Sequence, residues 1–301
     1  MGRDDVCQAR GVDDDATLPP HPPATPTGEP APAPGARTAT DPHVVASDVL
    51  ANLRDVGGRR TAHGRTVRRG VALRSAELRA PAIAADPAIA ALGVRTVVDL
   101  RTAAERAAAP DVLPTGARGV HADVLTQDPQ APAADLTEVM AHPQRLEQAL
   151  AALDPAARMR ETYVDLVVGD AARAGWATLL RHVLDPAAGP VLYHCTAGKD
   201  RTGWATTVLL LAAGVDLDGV RAEYLAVNPT VRAMYGPLLH RFADAGGDPA
   251  LLVPLLEVRA EYLDTALDAM ADRFGSFDGY LTHGLGLADD EVTALRAALV
   301  D

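Results

Sequence analysis

The chain has 301 residues, 48% of them apolar but only 4% aromatic, and a formal net charge of -12. That length admits one α/β domain with a non-globular end, and Leu, Val and Ala must fill its core. So acidic a chain is a poor general binder of nucleic acid or of an anionic membrane surface, and an anionic substrate needs a local feature that overcomes the overall field. Its two cysteines, Cys7 and Cys195, lie far apart, which excludes a Cys-rich zinc site and gives no basis for a structural disulfide. No apolar run approaches the ~20 residues of a membrane helix, and residues 1–15 lack the apolar core of a signal peptide. The expectation is a soluble protein without stable membrane insertion, cytoplasmic or exported without a standard signal peptide. Nothing in the chain points to a particular partner protein.

In chain order, residues 1–40 are rich in Pro, Ala, Thr and Asp, as in Pro19-Pro20-His21-Pro22-Pro23. Ordering them would cost more entropy than their contacts return, so a disordered tail is expected. The folded part is predicted over 41–301. A strand is read at 67–73, a β-branched strand at 93–100 after a glycine, and a weaker one at 119–122. Helical spacing appears at 136–153, 156–168 and 176–184. A short buried strand at 190–194 follows, then an apolar helix at 202–213 ending at Gly214. The remainder reads as helices at 216–228, 230–245 and 250–273, with two short ones after Phe274. Strands separated by helices predict an α/β fold, a central mostly parallel sheet flanked by helices with a helical C-terminal part.

The stretch that carries chemistry is His194-Cys195-Thr196-Ala197-Gly198-Lys199-Asp200-Arg201-Thr202-Gly203, between the buried strand and the apolar helix. A cysteine and an arginine five residues apart, in a loop entering a helix N-terminus, suit a tetrahedral dianion. Loop N–H groups from 196 to 201 and the unpaired amides of the first helical turn can cradle it. Gly198 lets the chain turn without a Cβ in the way. Arg201 is placed to grip two phosphate oxygens with its planar fork. So positive a loop favours the thiolate of Cys195, the form that attacks phosphorus in line. Thr202 can donate its hydroxyl to that sulfur, and His194 is expected to orient the loop. Thr196, Ala197, Gly198, Lys199 and Thr202 are the expected substrate contacts. No cofactor and no metal is expected. Lys199 is the sole lysine in a chain whose other basic residues are all arginine.

This pattern resembles the signature HCx5R(S/T) of the protein tyrosine phosphatase superfamily, and the version HCTAGKDRTG is most similar to its bacterial tyrosine and lipid phosphatase group. Asn52-Leu53-Arg54-Asp55-Val56-Gly57-Gly58 resembles that group's NFRD(L/V)GG, Leu73-Arg74-Ser75-Ala76-Glu77-Leu78 its (F/L)RSxxL, and Asp99-Leu100-Arg101 its DLR strand end. Val258-Arg259-Ala260-Glu261-Tyr262-Leu263 and Gly275-Ser276-Phe277-Asp278-Gly279-Tyr280-Leu281 resemble VRxEYL and GSxxGYL. These anchors span the folded part and not the tail. The resemblance implies a phosphomonoester hydrolase working through a phosphocysteine intermediate, on phosphotyrosine proteins and on phosphoserine, phosphothreonine or phosphoinositide substrates. It also implies a helical lid from about 124 to 170. Lys199 matches the loop lysine of members acting on inositol lipids, where it widens the charge of the site.

A Trp-Pro-Asp general-acid sequence is absent. The candidates to protonate the leaving oxygen are Asp200, which the resemblance favours, Asp99, Asp123 and Asp128. Arg54 and Asp55 read more readily as a buried pair than as catalytic groups. Gly57-Gly58 reads as a turn and 258–263 as core packing on a long helix. Arg59, Arg60, Arg65, Arg68 and Arg69 read as a solvated face, with the rim of the site as the alternative. Two rivals remain: a phosphate-binding module without turnover, and a rhodanese-like sulfurtransferase. Cys195 and Arg201 together speak against the first, and Arg201-Thr202-Gly203 at this spacing against the second. A P-loop fails because Asp200 follows Gly198-Lys199.

Overall fold

A computed structural model describes residues 41–125 and 154–301. The expected tail and residues 126–153 of the expected lid lie outside the described residues. The first half alternates short strands and turns: β1 (Arg54–Asp55), β2 (Ala72–Ser75), α1 (Pro87–Ala90), β3 (Thr96–Asp99), α2 (Ala103–Ala108) and β4 (Arg118–His121). Two long helices follow, α3 (Pro155–Val168) and α4 (Asp170–Leu184), before β5 (Val191–His194) and α5 (Asp200–Ala212). The C-terminal part is helical: α6 (Leu217–Leu225), α7 (Asn228–Asp244), α8 (Val253–Leu256), α9 (Ala260–Phe274), α10 (Phe277–Gly279) and α11 (Asp289–Leu299).

The five strands form one sheet in the order β1-β2-β5-β3-β4, parallel except for β1. The α/β expectation holds. β5 is central, and its four residues are fully buried because both faces are covered. Val191 and Tyr193 enter the larger core with Trp176, Trp204 and Leu209, while Leu192 packs on the other face with Leu73, Val97 and Ile89. Register aligns Ser75 and Asp99 with His194, so three parallel strands end together where the Cys195 loop begins. The helix leaving that loop, α5, is buried nearly all round, as its apolar sequence requires.

Several elements differ from the sequence reading. The strand expected at 67–73 forms at 72–75 instead. Gly70 has φ +70°, and Val67 bridges Val300 near the C-terminus. The helix expected over 250–273 is broken. Pro249 and Pro254 each open a first turn, and the Asn228 amide clamps Val258 in extended backbone, accepting from its N–H at 3.0 Å and donating to its C=O at 2.9 Å. Only from Ala260 does α9 run on, burying Tyr262 and Leu263 as the packing reading required.

Arg54 and Asp55 are both buried but are not each other's partners. Arg54 binds Glu223 and Asp41, while Asp55 accepts from the amides of Gly57 (2.8 Å) and Gly70 (3.0 Å). Of the five neighbouring arginines, Arg60, Arg65, Arg68 and Arg69 are exposed, as a solvated face requires, and Arg59 is not. Arg59 is buried on Glu223, and Arg65 and Arg68 tie the C-terminus, with Arg65 Nε donating to the Asp301 carbonyl at 2.6 Å. Among the described residues, no helix is long and apolar enough to cross a membrane.

Candidate active site

The loop leaves β5 at His194 and enters α5 at Asp200. Cys195 is a free, buried thiol, and Thr202 donates its hydroxyl to Cys195 Sγ at 3.2 Å, as expected. His194 orients the loop from both ring nitrogens: Nδ1 lies 3.1 Å from the Cys195 carbonyl and Nε2 3.0 Å from Asp111 Oδ2.

The loop's shape follows from where its carbonyls go. The Thr196 carbonyl accepts from the Glu77 amide (3.1 Å). The Ala197 carbonyl accepts from Asn52 Nδ2 (3.2 Å), and the Gly198 carbonyl from Asn52 Nδ2 (2.8 Å) and Arg74 Nη2 (2.7 Å). With successive carbonyls held on the protein side, the N–H groups of 196–199 find no protein acceptor among the described residues, which is the arrangement an anion cradle needs. Gly198 has φ +66°, and a Cβ there would meet the Ser75 carbonyl oxygen at 2.3 Å. The motifs around Asn52 and around Arg74 to Glu77 thus act as the loop's buttresses.

Arg201 does not stand free. Its two terminal nitrogens grip the Glu105 carboxylate at 2.6 and 2.7 Å, and Nη2 also reaches Thr196 Oγ1 at 3.3 Å. Burial alone would raise the Glu105 carboxyl, but Arg201 beside it holds it well below the usual carboxylate range. The same ion pair lifts Arg201, despite its burial, above the ordinary arginine value. Glu105 is placed by the capping box of α2, where its carboxylate accepts from the Thr102 amide at 2.9 Å.

Asp200 and Lys199 are joined at 2.8 Å, and Lys199 Nζ donates to the Leu255 carbonyl at 2.6 Å. Asp200 Oδ1 accepts from the Tyr163 hydroxyl at 2.9 Å.

The tyrosine phosphatase family model matches residues 45–301. A Cupriavidus necator protein provisionally named as a tyrosine-protein phosphatase is 36% identical over 84% of this chain and 88% of its own. The triple specificity protein phosphatase PtpB of Mycobacterium tuberculosis is 32% identical over 83% of this chain and 96% of its own. A tyrosine-protein phosphatase of Nostoc commune is 28% identical over 76% and 80%. The chain belongs to the tyrosine phosphatase family.

Within this tyrosine phosphatase, the other candidate acids have different work. Asp99 clasps Arg101 through both oxygens at 2.9 Å; burial raises its carboxyl, but the Arg101 hydrogen bonds outweigh that and hold it low. Asp123 accepts from the amides of Leu125 (2.9 Å) and Ala103 (3.2 Å), and Asp128 lies outside the described residues. Sequence reasoning missed Glu105, whose signal was the Thr102-x-x-Glu105 capping box; nothing local shows that the same carboxylate reaches Arg201, 96 positions on.

Proposed function

We propose that the protein is a cysteine-dependent phosphomonoester hydrolase acting on phosphotyrosine in proteins. The observation that carries this is the Thr202 hydroxyl on Cys195 Sγ at 3.2 Å, inside a loop whose carbonyls are turned to the protein and whose Arg201 is preset by Glu105. Cys195 Sγ attacks phosphorus as thiolate while the ester P–O bond breaks, and Asp200 gives a proton to the departing oxygen. Water then attacks the phosphocysteine, its proton passing to the Asp200 carboxylate, and the S–P bond breaks to return the thiolate that Thr202 steadies. Arg201 and the amides of Thr196, Ala197, Gly198 and Lys199 hold the equatorial oxygens in both steps.

A second, wider substrate range includes phosphoserine, phosphothreonine and phosphoinositides. Lys199 in the loop favours it, as does the triple specificity in the name of the M. tuberculosis relative. Against it, Lys199 is engaged by Asp200 and Leu255. The experiment is hydrolysis of p-nitrophenyl phosphate, a phosphotyrosine peptide and a phosphatidylinositol monophosphate, in EDTA, by wild type, Cys195→Ser and Lys199→Ala. Turnover lost in Cys195→Ser establishes the reaction class, and a loss in Lys199→Ala confined to the lipid establishes the wider range. Bound phosphate without turnover by wild type would leave a binding module.

A further inference from the structure

Two buried tyrosine hydroxyls run in series to the loop. Tyr224, on α6, donates to the Tyr163 hydroxyl at 2.6 Å, and Tyr163, on α3, donates to Asp200 Oδ1 at 2.9 Å. The order has a direction. Because the Tyr163 oxygen accepts from Tyr224, its one proton is committed to the carboxylate. The rings are fixed by packing: Tyr163 meets Tyr224 edge-on at 6.3 Å and Tyr262 at 5.6 Å. Tyr163 and Tyr224 are 0% and 2% exposed, and burial pushes both hydroxyls well above the ordinary tyrosine value, so both stay protonated donors.

A phenylalanine would fill either position equally well, and a buried hydroxyl is costly unless its bonds are made. The chain of bonds ends on the side chain of a loop residue and not on a convenient backbone carbonyl. The other Asp200 oxygen meets Lys199, itself tied to the Leu255 carbonyl. Asp200 is therefore held on one oxygen by α3 and on the other by its neighbour Lys199, itself tied to α8, which fixes the orientation of a carboxyl group in the loop itself.

We propose that Tyr163, backed by Tyr224, is a positioning residue that aims Asp200 for proton transfer to and from the reacting oxygens. This rests on the reading of Asp200 as the general acid. Proton transfer from a held side chain contributes about 10²–10⁴ in rate, and small misplacements forfeit much of it.

The test is a leaving-group comparison in the full-length protein. Phenyl phosphate expels an oxygen with a pKa of about 10, like that of tyrosine, and needs the proton; p-nitrophenyl phosphate expels a far weaker base. Tyr163→Phe is expected to lower kcat/KM, which reports only the steps through loss of the leaving group, about tenfold on phenyl phosphate and about twofold on p-nitrophenyl phosphate, with inhibition by inorganic phosphate unchanged. Tyr224→Phe should do the same more weakly, and adding Tyr163→Phe to Asp200→Asn should cost nothing further. Equal losses on both substrates, weakened phosphate inhibition or no loss, beside a leaving-group-dependent Asp200→Asn, would overturn the positioning role alone. An Asp200→Asn variant that loses nothing selectively on phenyl phosphate would overturn the acid assignment and this inference with it.

Discussion

Two buried ion clusters brace the Cys195 loop, and they are near mirror images in charge. On one side a single carboxylate, Glu223, is shared by Arg54, Arg59 and Arg74. On the other a single guanidinium, Arg101, is shared by Asp99 (2.9 Å), Asp111 (2.7 Å) and Glu77 (3.0 Å). The first reaches the loop at the Gly198 carbonyl through Arg74 Nη2, and the second at His194 through Asp111. The arginine-rich cluster backs the stretch whose amides are to face a dianion, so its surplus positive charge adds to the cradle's field. The carboxylate-rich cluster lies under the strand ends, before the nucleophile, where it fixes direction. In a chain of net charge -12, these buried arginines place positive charge directly behind the loop.

The arginine-rich cluster depends most on Glu223. Glu223→Gln leaves three buried guanidiniums without their shared carboxylate and should cost about 3–5 kcal/mol at pH 7. Burial alone would raise the Glu223 carboxyl, but Arg74, Arg59 and Arg54 hold it low. A carboxyl depressed in the folded state contributes its stability fully above its unfolded value of about 4.3, and loses it as pH falls through the folded value. Urea unfolding at pH 7 and at pH 3 should therefore show the gap between wild type and variant narrowing at the lower pH. A gap of the same size at both would mean that the charge on Glu223 is not what stabilises.

How much of this was legible depends on how local each signal is. The order of strand, loop and helix around Cys195 was readable because each part has a sequence cause: β5 is a short apolar run, Gly198 permits a positive φ, and α5 is apolar to Ala212. The Asn52 and Arg74 motifs were visible as anchors, but their partners were not, because Asn52 meets Ala197 145 positions away and Arg54 meets Glu223 169 positions away. Nothing around Glu223 marks it as a core residue. Arg54 and Asp55 are adjacent and both buried, yet neighbours in a strand point to opposite faces and so find different partners. The break at 257–259 escaped because the Asn228 clamp comes from another helix.

Replacing one arginine from each cluster separates the effect of field from that of scaffolding. Arg74→Met removes the donor to the Gly198 carbonyl and one of the positive charges behind the cradle, and should weaken inhibition by inorganic phosphate about tenfold. Arg101→Met leaves three carboxylates facing one another and should lower stability by a few kcal/mol, yet change phosphate inhibition by less than about threefold. Phosphate inhibition constants set beside denaturation midpoints decide it. Equal effects of both variants on phosphate would show that the clusters act alike, as scaffolding.

Asn52 is the contact where the first cluster's motif meets the loop. Asn52 sits at φ +54°, and its Nδ2 donates to two loop carbonyls. A substitution to alanine removes those bonds and also strains the backbone, by about 1–2 kcal/mol for a non-glycine side chain in the left-handed region. Asn52→Gly removes the bonds alone, since glycine takes that conformation freely. If the amide's work is to turn the Ala197 and Gly198 carbonyls away from the cradle, both variants lose phosphatase activity by a similar factor, about threefold to tenfold for one or two weakened hydrogen bonds. Only Asn52→Ala then loses the additional stability. Full activity in Asn52→Gly would assign Asn52 to the turn, leaving Arg74 as the group that holds the loop from this side.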